Sequence, residues 1–207
     1  MEIDPDALSV LQARAKAHLR KRARAVRGSM SRAAIAARSA KIVDAADRLA
    51  AERGAVEVAL FYPMEGRNEV DLRALHARLA ERGARVAYPR ANPDDRSMVF
   101  RLVSDPEAME EFGLGIREPA DDAPIAHALD LILVPALAVD LRGHRIGYGA
   151  GYYDRALAES PGVFSAVVAF DFQLAAEIPA GAHDVPARWI ITDERSLPAD
   201  DPTREPG

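Results

Sequence analysis

Apolar and polar positions follow two rhythms along this chain, and the order of the rhythms predicts an α/β domain. Residues 5–27 place Leu8, Leu11, Ala15 and Leu19 on one helical face, with Asp4 available as a cap and Pro5 at a first helical position. Residues 31–53 repeat that period through Ile35, Ile42, Val43 and Leu49 and close at Gly54. An apolar run over 56–62 then predicts a strand ending at Pro63. Helical spacing returns over 69–79, closed by Gly83, and 85–88 resumes as a strand that stops at Pro89. Strand, helix, strand in this order is the pattern of a right-handed parallel crossover. Further strands are predicted over 98–103, 131–134, 164–170 and 188–192, with a helix opening at Tyr152 to Asp154. The sum is one α/β domain over 1–197, a mostly parallel central sheet flanked by helices, with a basic helix at its N-terminus. Residues 198–207, with three prolines and several charges, read as a flexible tail.

Composition narrows the function classes. With 207 residues, 49% hydrophobic and 29% charged, the chain can bury one sizeable core. A net charge of -5 argues against a general nucleic-acid binder. The absence of cysteine removes disulfides, thiolate metal sites and a Cys nucleophile, and fits a reducing compartment. No stretch approaches the roughly 20 apolar residues that cross a bilayer, and the N-terminus lacks an apolar signal core, so no membrane partner and a cytoplasmic location are expected.

Candidate chemistry concentrates after the strand at 131–134. Gly147, Gly149 and Gly151 alternate with Ile146, Tyr148 and Ala150, a spacing that lets backbone N–H groups turn inward on a compact anion. The helix that follows adds unpaired donors and a favourable dipole end. These glycines alone fit equally a tight turn that holds no ligand. No Lys-Ser/Thr pair follows, so this is not a Walker loop, and its distance from the strand does not suit a dinucleotide fingerprint. In open α/β sheets ligands occupy the crevice beyond the carboxyl ends of the strands. Loops at 62–69, 147–151 and 171–184 are placed to line it. Meanwhile Arg14, Lys16, Arg20, Lys21, Arg22, Arg24 and Arg27 crowd the first helix; they fit a solvated face, a nucleic-acid or membrane contact, or cations aimed at a phosphate.

Several motifs in order make a family resemblance specific. Residues 130–155, with Val134-Pro135, Asp140, Gly143, Arg145, Gly147 and the run Gly149 through Arg155, resemble the signature of the 5-formyltetrahydrofolate cyclo-ligase family. Lys16 to Arg20 is similar to that family's N-terminal Lys/Arg element, and Tyr62-Pro63 through Glu69 to its acidic substrate loop. The stretch from Phe112 to Pro119 resembles a Gly-Ile-Glu-Pro segment; Phe170 to Gln173, Ile178 to Asp184 and Trp189 to Thr192 resemble its C-terminal motifs. Three positions depart from the pattern: Ala150, where relatives often carry Lys or Gly; Ala136, where Gly is usual; and Val139, where Phe is usual.

The resemblance implies an ATP- and Mg²⁺-dependent closure of 5-formyltetrahydrofolate to 5,10-methenyltetrahydrofolate, by a monomer acting on small molecules. By the same analogy Lys16, Arg20, Arg145, Gly147, Tyr148, Gly149, Ala150, Gly151, Tyr152 and Tyr153 hold ATP, with Arg145 and Tyr152 closest to the chemistry. Glu69, together with Tyr148 to Tyr152, takes the folate, and Asp154 and Asp184 take Mg²⁺. Each carboxylate has a plainer reading. Asp154 and Glu69 suit the first turn of a helix without any ligand, and Asp184 suits a turn. Of Tyr152 and Tyr153, one is expected to pack and one to contact ligand. Two other functions remain open on the residues alone: a sugar-phosphate isomerase sharing only the fold, and an RNA-binding regulator using the basic helix.

Overall fold

The computed structural model describes residues 5–112 and 115–200. Helix α1, Pro5–Gly28, covers the expected span, but only part of its apolar face is used. Leu19 and Ala23 pack on Leu137, Ile146 and Ile178, whereas Leu8 and Leu11 are exposed, contrary to the face read from spacing. Helix α2, Arg32–Glu52, is opened by Ser31, whose hydroxyl accepts from the Ala34 N–H at 3.2 Å, and it buries Ile35, Ile42, Val43 and Leu49.

Strand β1, Glu57–Ala59, is shorter than the apolar run, although Leu60 still donates to the Ala87 carbonyl at 2.9 Å. Helix α3, Arg73–Glu81, begins four residues later than the spacing predicts. Glu69 and Val70 are buried instead of starting a turn, and the Asp71 carboxylate caps the Arg73 N–H at 3.0 Å. Strand β2, Arg85–Ala91, continues through Pro89 rather than stopping there. Pro89 lies past the stretch paired with β1, where a missing N–H is tolerated.

Strand β3, Met98–Leu102, follows as expected. The hairpin β4, Glu110–Phe112, with β5, Ile116–Glu118, was not legible as strands, nor was the ribbon β7, Ala138–Val139, with β8, Arg145–Ile146, that follows β6, Leu131–Pro135. Helix α4, Tyr152–Glu159, leads to β9, Phe164–Val168, then β10, Trp189–Ile191, and β11, Ser196–Pro198. Pro198 sits in β11, and the Ala199 and Asp200 N–H groups bond to Arg188 and Leu141, so the first residues of the expected tail are tied to the sheet. The rest of the tail lies outside the described residues.

The seven-stranded sheet has the order β11-β10-β9-β6-β1-β2-β3; the five inner strands are parallel and both edges antiparallel. Alternation along the strands feeds two cores. Val58, Val86, Leu131 and Leu133 pack with Ile42, Leu49, Leu75 and Leu79 of α2 and α3, while Ala59, Ala87, Ile132 and Val134 pack with Ala156 and Leu157 of α4. The chain leaves β1 for β2 on one side and returns to β6 on the other. That reversal opens a crevice at the carboxyl ends of β1 and β6, flanked by the loops at 62–69 and 147–151.

Candidate active site

The glycine loop hangs from the β7–β8 ribbon and enters α4 through Gly151, whose φ of +76° is a left-handed conformation that a side chain would strain. Helix α1 reaches it from above. Arg20 Nε donates to the Gly147 carbonyl at 3.0 Å. One turn earlier Lys16 pairs with Asp184 Oδ2, which also accepts from the Gly181 N–H at 2.6 Å, and Gln12 donates to the Ala180 carbonyl at 3.3 Å. One helix thereby gathers the 178–184 loop and the glycine loop.

Arg145 lies beneath, its side chain 4% exposed. It donates to the Val185 carbonyl at 2.6 Å and to Asp154 Oδ1 at 2.8 Å, and the same oxygen accepts from the Val185 N–H at 3.2 Å. Burial pulls the Arg145 guanidinium below its ordinary value, opposed chiefly by Asp154. Arg145 therefore braces Asp154 and would reach a phosphate only by leaving it. Burial would raise the Asp184 carboxyl, but Lys16, the Gly181 N–H and Arg145 together hold it below the usual carboxylate range.

Among the described residues no three His, Asp or Glu side chains cluster so as to hold a metal ion unaided. Asp154 and Asp184 nevertheless fit Mg²⁺, which takes one or two carboxylates and completes its shell with phosphate oxygens and water. Each carboxylate uses one oxygen for its protein partners and keeps the other without a partner among the described residues.

Of the three candidate site carboxylates, Glu69 is the most heavily engaged. Its Oε2 accepts from the Met64 N–H at 2.9 Å, and its Oε1 from the Tyr148 hydroxyl at 2.6 Å and from Arg27 at 3.4 Å. Arg27 also donates to the Tyr148 oxygen at 2.6 Å. The Arg27 and Glu69 side chains are each 5% exposed. Burial and then Glu69 push the Tyr148 hydroxyl up to about 12 against the pull of Arg27, so it stays protonated across the neutral range. Because α3 starts only at Arg73, Glu69 is not an early-helix carboxylate; it is turned into the fold. The neighbouring Asn68, at φ +51°, donates to the Arg27 and Met30 carbonyls and ties this loop to the end of α1.

Tyr152 and Tyr153, in the first turn of α4, both pack against the core. The Tyr153 ring tilts against Phe100 at 6.5 Å, and its hydroxyl is buried with no partner among the described residues. Ala150 contributes its carbonyl, which accepts from Arg155 at 2.9 Å. A cavity of about 410 Å³ opens beside Glu69, lined by Tyr62, Met64, Asn68, Arg73 and Arg117. A larger apolar groove of about 620 Å³, between Leu19 and Ala23 of α1 and Leu137, Phe172 and Leu174, contains none of the residues expected to bind a ligand.

Arg27 is the residue that sequence reasoning left in the basic crowd. Its signal was present in the spacing: positions 16, 20 and 27 fall within about 40° of one another on a helix. Those three turn inward, while Arg14, Lys21 and Arg22 remain exposed. The basic helix is thus two faces, and the inward one is committed to the loops of the crevice.

Residues 12–193 match the model of the 5-formyltetrahydrofolate cyclo-ligase family. A 5-formyltetrahydrofolate cyclo-ligase of Mycolicibacterium smegmatis is 38% identical over 133 residues, 61% of this chain and 69% of that one. Its counterpart from Escherichia coli is 30% identical over 145 residues, 67% and 78% of the two chains. The solution structure of Aquifex aeolicus 5,10-methenyltetrahydrofolate synthetase superposes with a TM-score of 0.76 at 27% identity, covering 93% of this chain and 96% of that one. Matched family model, relatives and fold place the chain in the 5-formyltetrahydrofolate cyclo-ligase family.

Proposed function

We propose that the protein converts 5-formyltetrahydrofolate to 5,10-methenyltetrahydrofolate with ATP and Mg²⁺, releasing ADP and phosphate. The observation that carries this reading is the convergence of Lys16, Arg20, Asp154 and Asp184 on one side of the glycine loop while Glu69 meets Tyr148 on the other. Two ligands can then lie side by side, one anionic and one bearing N–H donors. A formamide oxygen is a poor leaving group. The formyl oxygen therefore takes the γ-phosphoryl group, N10 attacks the activated carbon, and the oxygen departs as phosphate after N10 loses its proton. Such transfer depends on positioning and charge neutralisation.

Lys16, Arg20 and the amides of 147–151 hold the triphosphate. Arg145 fixes Asp154, and Mg²⁺ bound to Asp154 and Asp184 would neutralise charge on the transferring group. Glu69 takes the donors of the pterin, and Tyr152 orients the ring. The same reading makes the protein a cytoplasmic, monomeric enzyme of one-carbon metabolism; among the described residues no helix is long and apolar enough to cross a membrane.

Turnover followed by the absorbance of the conjugated methenyl product tests this, with folate, ATP and Mg²⁺ omitted in turn. Product is expected only with all three. A folded protein that binds ATP yet forms no product would remove the folate assignment.

A further inference from the structure

The Tyr148–Glu69 contact joins the two halves of the crevice, and lone-pair counting puts it in competition with a bidentate substrate. Glu69 Oε1 already accepts two donors, Tyr148 and Arg27, and a carboxylate oxygen offers about two sites. Oε2 accepts only the Met64 N–H, so one site is open on the carboxylate, and a heterocycle presenting two adjacent N–H groups across both oxygens must displace a donor from Oε1. Arg27 is charged and as buried as its partner, so removing it would strand a carboxylate out of water. Tyr148 is neutral, partly exposed and carried on a loop. It is the donor that can leave.

The glycine loop is held by few tethers at its start: the Gly147 carbonyl on Arg20 and the Tyr148 hydroxyl on Glu69 and Arg27. The Arg20 guanidinium covers the loop, 3.5 Å from where a Gly149 Cβ would stand, so a triphosphate laid on the amides has to displace it together with the Gly147 carbonyl it holds, and that end of the loop shifts. The folate and ATP therefore compete with the same internal bond. We propose that Arg27 and Tyr148 are positioning residues acting on Glu69, Arg27 as its fixed countercharge and Tyr148 as a latch whose release by one substrate eases binding of the other. The ligand that arrives first breaks the latch, and the second binds without that cost, which is positive coupling. The Tyr148 hydroxyl keeps its proton throughout the neutral range, so it remains a donor to Glu69 until a ligand displaces it.

This inference rests on the proposed function, and its test separates the two. The dissociation constant of the β,γ-imido analogue of ATP, with Mg²⁺, is measured by calorimetry with and without 5-formyltetrahydrofolate. The wild-type protein should bind the analogue about fivefold or more tightly when the folate is present, and the reciprocal titration should give the same factor. Tyr148→Phe keeps the ring beside Arg24, 5.2 Å from its centroid, and loses only the hydroxyl. Its ratio should fall to within about twofold of one, the limit for uncoupled sites. A ratio near one in the wild type, or the full ratio retained in Tyr148→Phe, overturns the latch while catalysis stands. A wild-type protein that neither binds nor cyclises the folate overturns both.

Discussion

Two clusters in the crevice use the same chemistry under different access to water. Lys16–Asp184 and Arg145–Asp154 put one carboxylate each at 26% and 29% exposure, whereas Arg27 and Glu69 are both at 5%. An open carboxylate can take a metal ion or water on its free oxygen at little cost, its cation staying in place. A buried one cannot give up its partner, because that leaves a charge in a medium that solvates it poorly. The outer cluster is therefore suited to ligands that come and go, and the inner one to holding a fixed shape and charge.

The sharpest way to break this contrast is to delete one cation from each cluster. Arg27→Met should lose about 3–5 kcal/mol of stability in urea unfolding, with much of it recovered when Glu69→Gln is added. Lys16→Met should lose under about 1 kcal/mol in the same experiment. Equal losses would mean that burial does not distinguish the clusters.

Next in size is the outer acid itself. Asp154→Asn keeps an oxygen for Arg145 but gives up the charge, so Mg²⁺ activation of turnover should weaken roughly 10–100-fold. Unchanged metal dependence would place the ion elsewhere.

Replacing Gly147 should separate ligand from fold. A Cβ there meets nothing within 4 Å, so Gly147→Ala should stay within about 0.5 kcal/mol of wild-type stability while binding ATP less well. Undiminished ATP affinity would show that the loop's first amide needs no close approach.

The smallest effect expected is a pH dependence. The Asp184 carboxyl lies below its usual value of 3.8, so its contribution to stability is complete above that value and fades as pH falls through the lowered one. Because the carboxylate keeps contact with solvent, which screens its pair with Lys16, the contribution should be only about 0.5 kcal/mol or less. Wild type and Asp184→Asn, offset slightly at neutral pH, should converge in acid; a constant offset would contradict the paired state.

How much of this could be read beforehand differs by element. The long helices and buried strands carry many periods of one pattern, and their existence was plain. The β7–β8 ribbon has two residues a side, too few to register a period, and it hides inside the motif it supports. The start of α3 was misread because Glu69, Val70 and Asp71 suit a helix locally; a tertiary bond from the Met64 N–H claims Glu69 instead. The motifs that flank the crevice were legible as a set through resemblance. Arg27 was not, since a run of cations on a helix states which residues share a stripe and not which stripe faces in.

Helix α1 carries a geometric consequence of its own. Gln12 and Lys16 touch the 178–184 loop, Arg20 the glycine loop, and Arg27 the 62–69 loop. These are three separate stretches of chain, yet their spacing is set by one rod rising about 1.5 Å per residue, roughly 16 Å from Lys16 to Arg27. The helix works as a ruler: a single residue inserted between Arg20 and Arg27 would turn the far mark by about 100° and leave the near ones in place. The spacing of the three loops around the crevice is thus written in the count of residues along α1.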